Sequence, residues 1–155
     1  MLRKFIVIRH GNYDYATMDL DAIGERQIKK LLPTIKEHIA GMEGILLLSS
    51  NAPRAESSMK IISGELNLPY EVSEYLCSDN KHSQDNKRAL NFVLNEVNKN
   101  EAEAVIILTH LEYANELPIV MIYHLGEHIS VHDDLNKGEM VVVDLSDEKS
   151  FYHHQ

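Results

Sequence analysis

A single cysteine, Cys77, excludes an intrachain disulfide and makes a reducing compartment the simpler expectation. Long apolar runs are also missing: none approaches the ~20 residues that span a bilayer. After Arg3 and Lys4 only Phe5 to Ile8 is apolar before Arg9, too short for a secretory-signal core. The expected place is therefore the cytoplasm, with no membrane partner. Basic charge is scarce, with 15 Lys and Arg against 24 Asp and Glu and a formal net charge of -9. A nucleic-acid partner would select a net basic surface and is not expected. An anionic substrate would have to be held by a local cationic patch against an unfavourable overall field, which salt screens beyond about 10 Å.

Repeats, linkers and low-complexity tracts are absent, so residues 1–155 read as one domain, long enough to bury a real core. The 44% hydrophobic and 25% charged content are ordinary for a globular chain.

Three short apolar runs each end in groups that suit a phosphoryl pocket. Phe5-Ile6-Val7-Ile8 leads into Arg9-His10-Gly11, Ile45-Leu46-Leu47-Leu48 into Ser49-Ser50 and then Arg54, and Ala104 to Leu108 into Thr109-His110. Continuous β-branched and leucine runs of this length mark buried parallel strands, and ligands of open α/β sheets bind at the carboxyl ends of such strands. Met140 to Val143 is a fourth apolar run, but it leads into Asp144-Leu145-Ser146; it runs antiparallel or lies at the sheet edge.

Helical-period segments alternate with these runs, which predicts a three-layer α/β/α domain with a mainly parallel central sheet. Ile28, Leu31, Leu32, Ile35 and Ile39 make one stripe, with Asp21 as N-cap and Gly41 as stop; Pro33 predicts a kink or break within it. Pro53 suits a first turn, followed by a stripe of Ala55, Met59, Ile62 and Leu66. Tyr70 to Val72 reads as a short strand, Ser73 to Gln84 as a loop, and Leu90, Val93, Leu94 and Val97 as a third helical stripe. A fourth helix contains Pro118, and two more strands are expected near Ile129 to His132 and Met140 to Val143.

The chemistry of two imidazoles and two guanidiniums is specific. A phosphoryl group carries roughly two negative charges near neutral pH, and arginine offers it a planar, permanently charged fork of donors. A histidine with one ring nitrogen pinned by a hydrogen bond can attack phosphorus with the other. A second imidazole, protonated, would hold the charge that develops on the equatorial oxygens, and the start of the helix after Ser50 would add main-chain donors.

These segments resemble the histidine phosphatase superfamily, the phosphoglycerate-mutase-like fold. Ile8-Arg9-His10-Gly11 is similar to its signature, Leu20-Asp21-Ala22-Ile23-Gly24-Glu25-Arg26-Gln27 to its "LTxxGxxQ" helix start, and Ser49 to Ser58 to its "SSxxxRAxxT" segment, with Ser58 in place of threonine. Leu108-Thr109-His110 is similar to the segment of the second histidine. Thr109-His110-Leu111 and Leu66-Asn67-Leu68-Pro69 look most like the small SixA-type phosphohistidine phosphatases, and the length leaves no room for a lid insertion. The resemblance implies a metal-independent hydrolase without cofactor, with His10 as nucleophile and Arg9, Arg54 and His110 as the phosphate pocket. It implies a carboxylic acid for ester cleavage, for which Glu74 is the candidate with Asp79 behind it. Asn12 either donates to phosphate or caps a turn. Glu112, two residues after His110, would repel a dianion unless it points away or pairs with a cation.

The substrate is expected to be a phosphohistidine protein, with a small phosphate ester as the alternative. A non-catalytic phospho-binding module is a second alternative. A metal site on His124, His128 and His132 is disfavoured, because Gly126 interrupts any helix that would align them. His153-His154-Gln155 reads as a tail without function.

Overall fold

The computed structural model describes residues 1–78, 85–131 and 134–155. Phe5, Ile6, Val7 and Ile8 are wholly buried on both faces, as the central strand β1 (Lys4–Arg9) requires. On one side β1 pairs in parallel with β4 (Ala104–Thr109), beyond which lie β2 (Ile45–Ser50) and the short β3 (Glu71–Ser73), also parallel. On its other side lies β5 (Met140–Asp144), antiparallel, and then β6 (Lys149–His153), antiparallel to β5. Among the described residues four helices complete three layers. Helices α1 (Ala22–Ile39) and α2 (Pro53–Leu66) cover the face that carries Ile6, Ile8, Leu47 and Ile106. Helices α3 (Asn86–Lys99) and α4 (Leu111–His124) cover the face that carries Phe5, Val7, Leu48 and Ile107. The expected α/β/α class and mainly parallel sheet are what the chain adopts. Among the described residues no helix is long and apolar enough to cross a membrane.

The register decides which residues meet. Arg9 sits opposite Thr109 across the β1–β4 pair, so His10 and His110 emerge together, and the His10 N–H donates to Thr109 O at 3.0 Å. The antiparallel sense of β5 explains its lack of phosphate-binding groups. Its exit residue Asp144 lies at the far end of the sheet, where it pairs with Lys4 at 3.0 Å. It is the entry of β5, the turn Asn136-Lys137-Gly138, that reaches the carboxyl end of β1: the Gly138 N–H is shared between Arg9 O and His10 O. Of the two positions left open for Met140 to Val143, antiparallel holds and the sheet edge does not.

Asp21 caps α1 by accepting from the Gly24 N–H at 2.8 Å, and Gly41, at φ 74°, follows its end. Of the kink or break expected at Pro33, the break does not occur, since α1 runs through it. Pro33 lies on the exposed side, where water can take the carbonyl that the ring leaves unpartnered, while Ile28, Leu31, Leu32, Ile35 and Ile39 are buried on both sides of it. In α2 Ala55, Met59 and Ile62 are buried as expected and Leu66 only partly; the helix closes on Asn67 in the left-handed region, which Asn tolerates. In α3 Ala89, Leu90, Val93 and Val97 are buried and Leu94 partly.

Two further expectations fail. Ile129 to Val131 are irregular rather than a strand, and His132 lies outside the described residues. The last strand is instead β6, which includes His153 and binds β5 over its whole length, so the tail reading is wrong. His154 Nδ1 lies 2.8 Å from Glu139 Oε2, and the Gln155 amide donates to Gln27 O and Gly138 O. The polar Lys-Ser-Phe-Tyr-His sequence hides this strand because it is an edge, exposed on one side.

Candidate active site

The site forms where β1, β2 and β4 end. His10 follows β1 directly and is only 3% exposed. Its Nδ1 stands 2.8 Å from Gly11 O. A carbonyl only accepts, so Nδ1 carries the proton and Nε2 keeps a lone pair. Arg54, in the first turn of α2 and also buried, aims its Nε–H at that Nε2 from 3.3 Å. The Arg54 Nη2–H reaches His110 Nδ1 at 3.4 Å. Guanidinium cannot accept, so the His110 proton sits on Nε2 and goes to Ser50 Oγ, 2.7 Å away. The two imidazoles lie edge to face with centroids 5.1 Å apart. His10, Arg54 and His110, contributed by three remote segments, therefore meet.

Arg9 adjoins this set. It is half-buried and donates from Nη1 to Leu135 O at 3.1 Å, while its buried Nε has no hydrogen-bond partner among the described residues. Its charge acts on both imidazoles.

Electrostatics keeps the two rings neutral. Burial is the largest cause, and the Arg54 and Arg9 charges add to it, so His10 falls to about 4 and His110 to about 3. For His10 this suits a nucleophile. For His110 it means that the ring is neutral among the protein's own charges, and that the two negative charges of a phosphoryl group would be needed to favour the protonation expected beside the phosphate.

The loop after His10 is held tightly. A Cβ on Gly24 would lie 2.1 Å from Asn12 O, and one on Gly11 2.7 Å from Gly24 O, so only glycine permits this approach of β1's exit to α1. Ser58 Oγ accepts from the Gly11 N–H at 3.2 Å and donates to Arg54 O at 2.7 Å, which fastens the same loop to α2. Gln27 accepts from the Asn12 N–H.

The remaining sequence candidates fall as follows. Asn12 gives its side-chain amide to Asp21 Oδ2 at 2.6 Å, the partner that holds it against the helix cap. Glu74 opens the 3-10 turn Glu74–Leu76 and is exposed. It follows Ser73, the register partner of Ser50, and so sits at the site's edge of the sheet. Asp79 lies outside the described residues. Glu112 accepts from buried Ser78 at 2.6 Å, and its charge favours the Arg9 cation. His124 ends α4, and Gly126 follows at positive φ; among the described residues no group of three metal-ligating side chains converges.

Ser50, Tyr13, Tyr15 and Lys137 carry no role that the sequence alone announces. Ser50 orients His110 and stood inside a quoted motif. The Tyr13 ring lies 4.6 Å from the Arg54 guanidinium carbon and 5.3 Å from the His10 ring. Lys137 Nζ lies 4.6 Å from the same ring and 5.3 Å from that of Tyr15. No local signal points to Lys137, which is 127 residues from His10. A separate hollow at the opposite end of the sheet, lined by Gly44, Leu46, Tyr70, Glu71 and Ala102, holds no cation and offers nothing to a phosphoryl group.

No protein-family profile matches the chain, and no curated protein does. Solved structures do. The protein histidine phosphatase SixA, complexed with tungstate, superposes with TM-score 0.66 at 18% identity over 97% of this chain and 94% of that one. A mycobacterial glucosyl-3-phosphoglycerate phosphatase gives TM-score 0.68 at 13% identity over 98% and 97%. A phosphoserine phosphatase variant from Entamoeba histolytica, in complex with phosphoserine, gives 0.64 at 14% over 96% and 94%. At these identities the likeness establishes a shared fold, the one that the sequence resemblance implied.

Proposed function

We propose that the chain hydrolyses phosphoryl groups through a covalent phosphohistidine on His10, without metal or cofactor. The observation that carries this reading is the His10 ring itself: Nδ1–H held by Gly11 O, Nε2 left with its lone pair, and the Arg54 guanidinium beside it. The Arg54 Nε–H turns from Nε2 to a phosphoryl oxygen, the freed Nε2 lone pair attacks phosphorus, the bond from phosphorus to the leaving atom breaks, and that atom takes a proton. Water then attacks the phosphohistidine, and inorganic phosphate leaves. Arg54, Arg9 and His110 hold the equatorial oxygens, where preorganised donors act most strongly. The fold neighbours support phosphatase chemistry, since three of them carry phosphatase names.

The favoured substrate is phosphohistidine on a protein. Its leaving imidazole departs far more readily than an alkoxide, which suits a site whose only described acid candidate, Glu74, is an exposed residue at the edge. In the alternative, a small phosphate ester, Glu74 would supply the proton. Steady-state assays with a phosphohistidine protein and with phosphate esters, side by side, separate the two. Higher kcat/KM on the protein is expected, and higher kcat/KM on an ester overturns the substrate assignment. A phospho-binding module without turnover would bind vanadate yet yield no phosphoenzyme.

A further inference from the structure

Beside the phosphoryl bowl lies a second cationic feature that the chemistry above does not use. Lys137 belongs to the turn whose next residue, Gly138, gives its N–H to both Arg9 O and His10 O. The turn is closed again from behind, because Glu139 accepts from the Asn136 N–H and returns its own N–H to Asn136 O. The backbone that carries Lys137 is thus fixed relative to the nucleophile. Its ammonium lies 3.3 Å from the Tyr15 hydroxyl and against the rings of Tyr13 and Tyr15, which pack 4.8 Å apart. Tyr13 in turn touches Arg54 and His10. Lys137 is half-buried, and among the described residues no carboxylate forms an ion pair with it. Tyr15 is 73% exposed, so the cluster is the rim of the bowl and not its floor.

We propose that Lys137, framed by Tyr13 and Tyr15, is a second anion-binding subsite that takes a carboxylate attached to the phosphorylated group. The proposal rests on the phosphatase reading of the bowl. An ammonium on two aromatic faces spends few of its three N–H donors, since Tyr15 accepts only one. A net charge of -9 would otherwise repel a substrate with one more negative group. Selecting such a substrate therefore takes a placed cation, and this one shares the Tyr13 ring with the reacting imidazole. The carboxylate has two sources of one chemistry, an acidic side chain beside a phosphohistidine or the acid group of a small phosphate ester.

Calorimetry in a His10→Ala background reads binding without turnover. Phosphoglycolate and ethyl phosphate, which differ by the carboxylate, form one pair. Two phosphohistidine peptides with Asp or Ser beside the modified residue form the other. At least one pair is expected to show about a tenfold preference for the carboxylated member, the scale of a charge-assisted hydrogen bond. Lys137→Met should bring that ratio within about twofold of unity, and Lys137→Arg should restore much of it. Preference in the peptide pair alone assigns the carboxylate to a protein side chain, and in the ester pair alone to a small ester. Ratios near one in both pairs before Lys137 is changed, or an unaltered ratio in Lys137→Met, overturn the subsite. Failure of the phosphatase reading shows separately, as absence of turnover in the unsubstituted protein.

Discussion

Arg54 Nε stands 3.3 Å from Nε2 of His10, so a buried guanidinium donates to the very lone pair that would attack phosphorus. The contact aligns the ring, and the charge adds to the burial that keeps it neutral. Arg54→Ala should lower kcat by about 10²–10³, the scale of a lost oxyanion donor. It should also raise the titration midpoint of His10, because the Arg54 charge is one of the causes that lower it. Proton NMR of the imidazole checks this, and an unmoved midpoint contradicts the electrostatic pairing.

The acid behaviour of the pair has a definite sign. In the unfolded chain both imidazoles titrate near 6.5; folded, His10 falls to about 4 and His110 to about 3. Between those values the unfolded chain binds more protons, so stability is full above pH 6.5 and is lost as pH falls toward 4. Urea unfolding at stepped pH should show this decline, and His10→Ala should make it shallower. Vanadate should raise the His110 midpoint, since a bound anion opposes the arginine charges.

Backbone approach sets a third expectation. Gly24→Ala places a Cβ 2.1 Å from Asn12 O, with backbone rather than a flexible side chain in the way. The loop after His10 must shift, and a loss of about 1–3 kcal/mol or more is expected from overpacking of this kind. Denaturant unfolding measures it; a change below 0.5 kcal/mol would show that the loop yields freely.

Glu74, if it is the proton donor for esters, would separate the two substrates. In Glu74→Gln, turnover of a phosphate ester with a poor leaving group should fall by about 10²–10⁴, the usual worth of general acid catalysis. Phosphohistidine turnover should fall far less. Equal losses on both substrates would remove Glu74 from the role of proton donor.

Much of the fold was legible because β1, β2 and β4 are buried on both faces and so read as unbroken apolar runs. His10, Arg54 and His110 were legible because each stands just past such a run. The failures have physical causes too. Propensity at Pro33 was overridden by a buried stripe on both sides of it. β6 is polar because it is an edge, so Ile129 to His132 looked the better strand. Asn12 could not be assigned because its role depends on Asp21, nine residues away and paired with it only once α1 folds. Lys137 was invisible for a similar reason: it reaches the site through the antiparallel entry of β5, and strand direction is not written in the apolar pattern.

The most direct test is to trap the intermediate. Brief exposure to labelled phosphoryl donor followed by rapid denaturation in alkali should leave an acid-labile, alkali-stable phosphoryl group. Mass spectrometry should place that group on His10, and His10→Ala should carry none. Label on another residue, or full turnover by His10→Ala, would contradict the account.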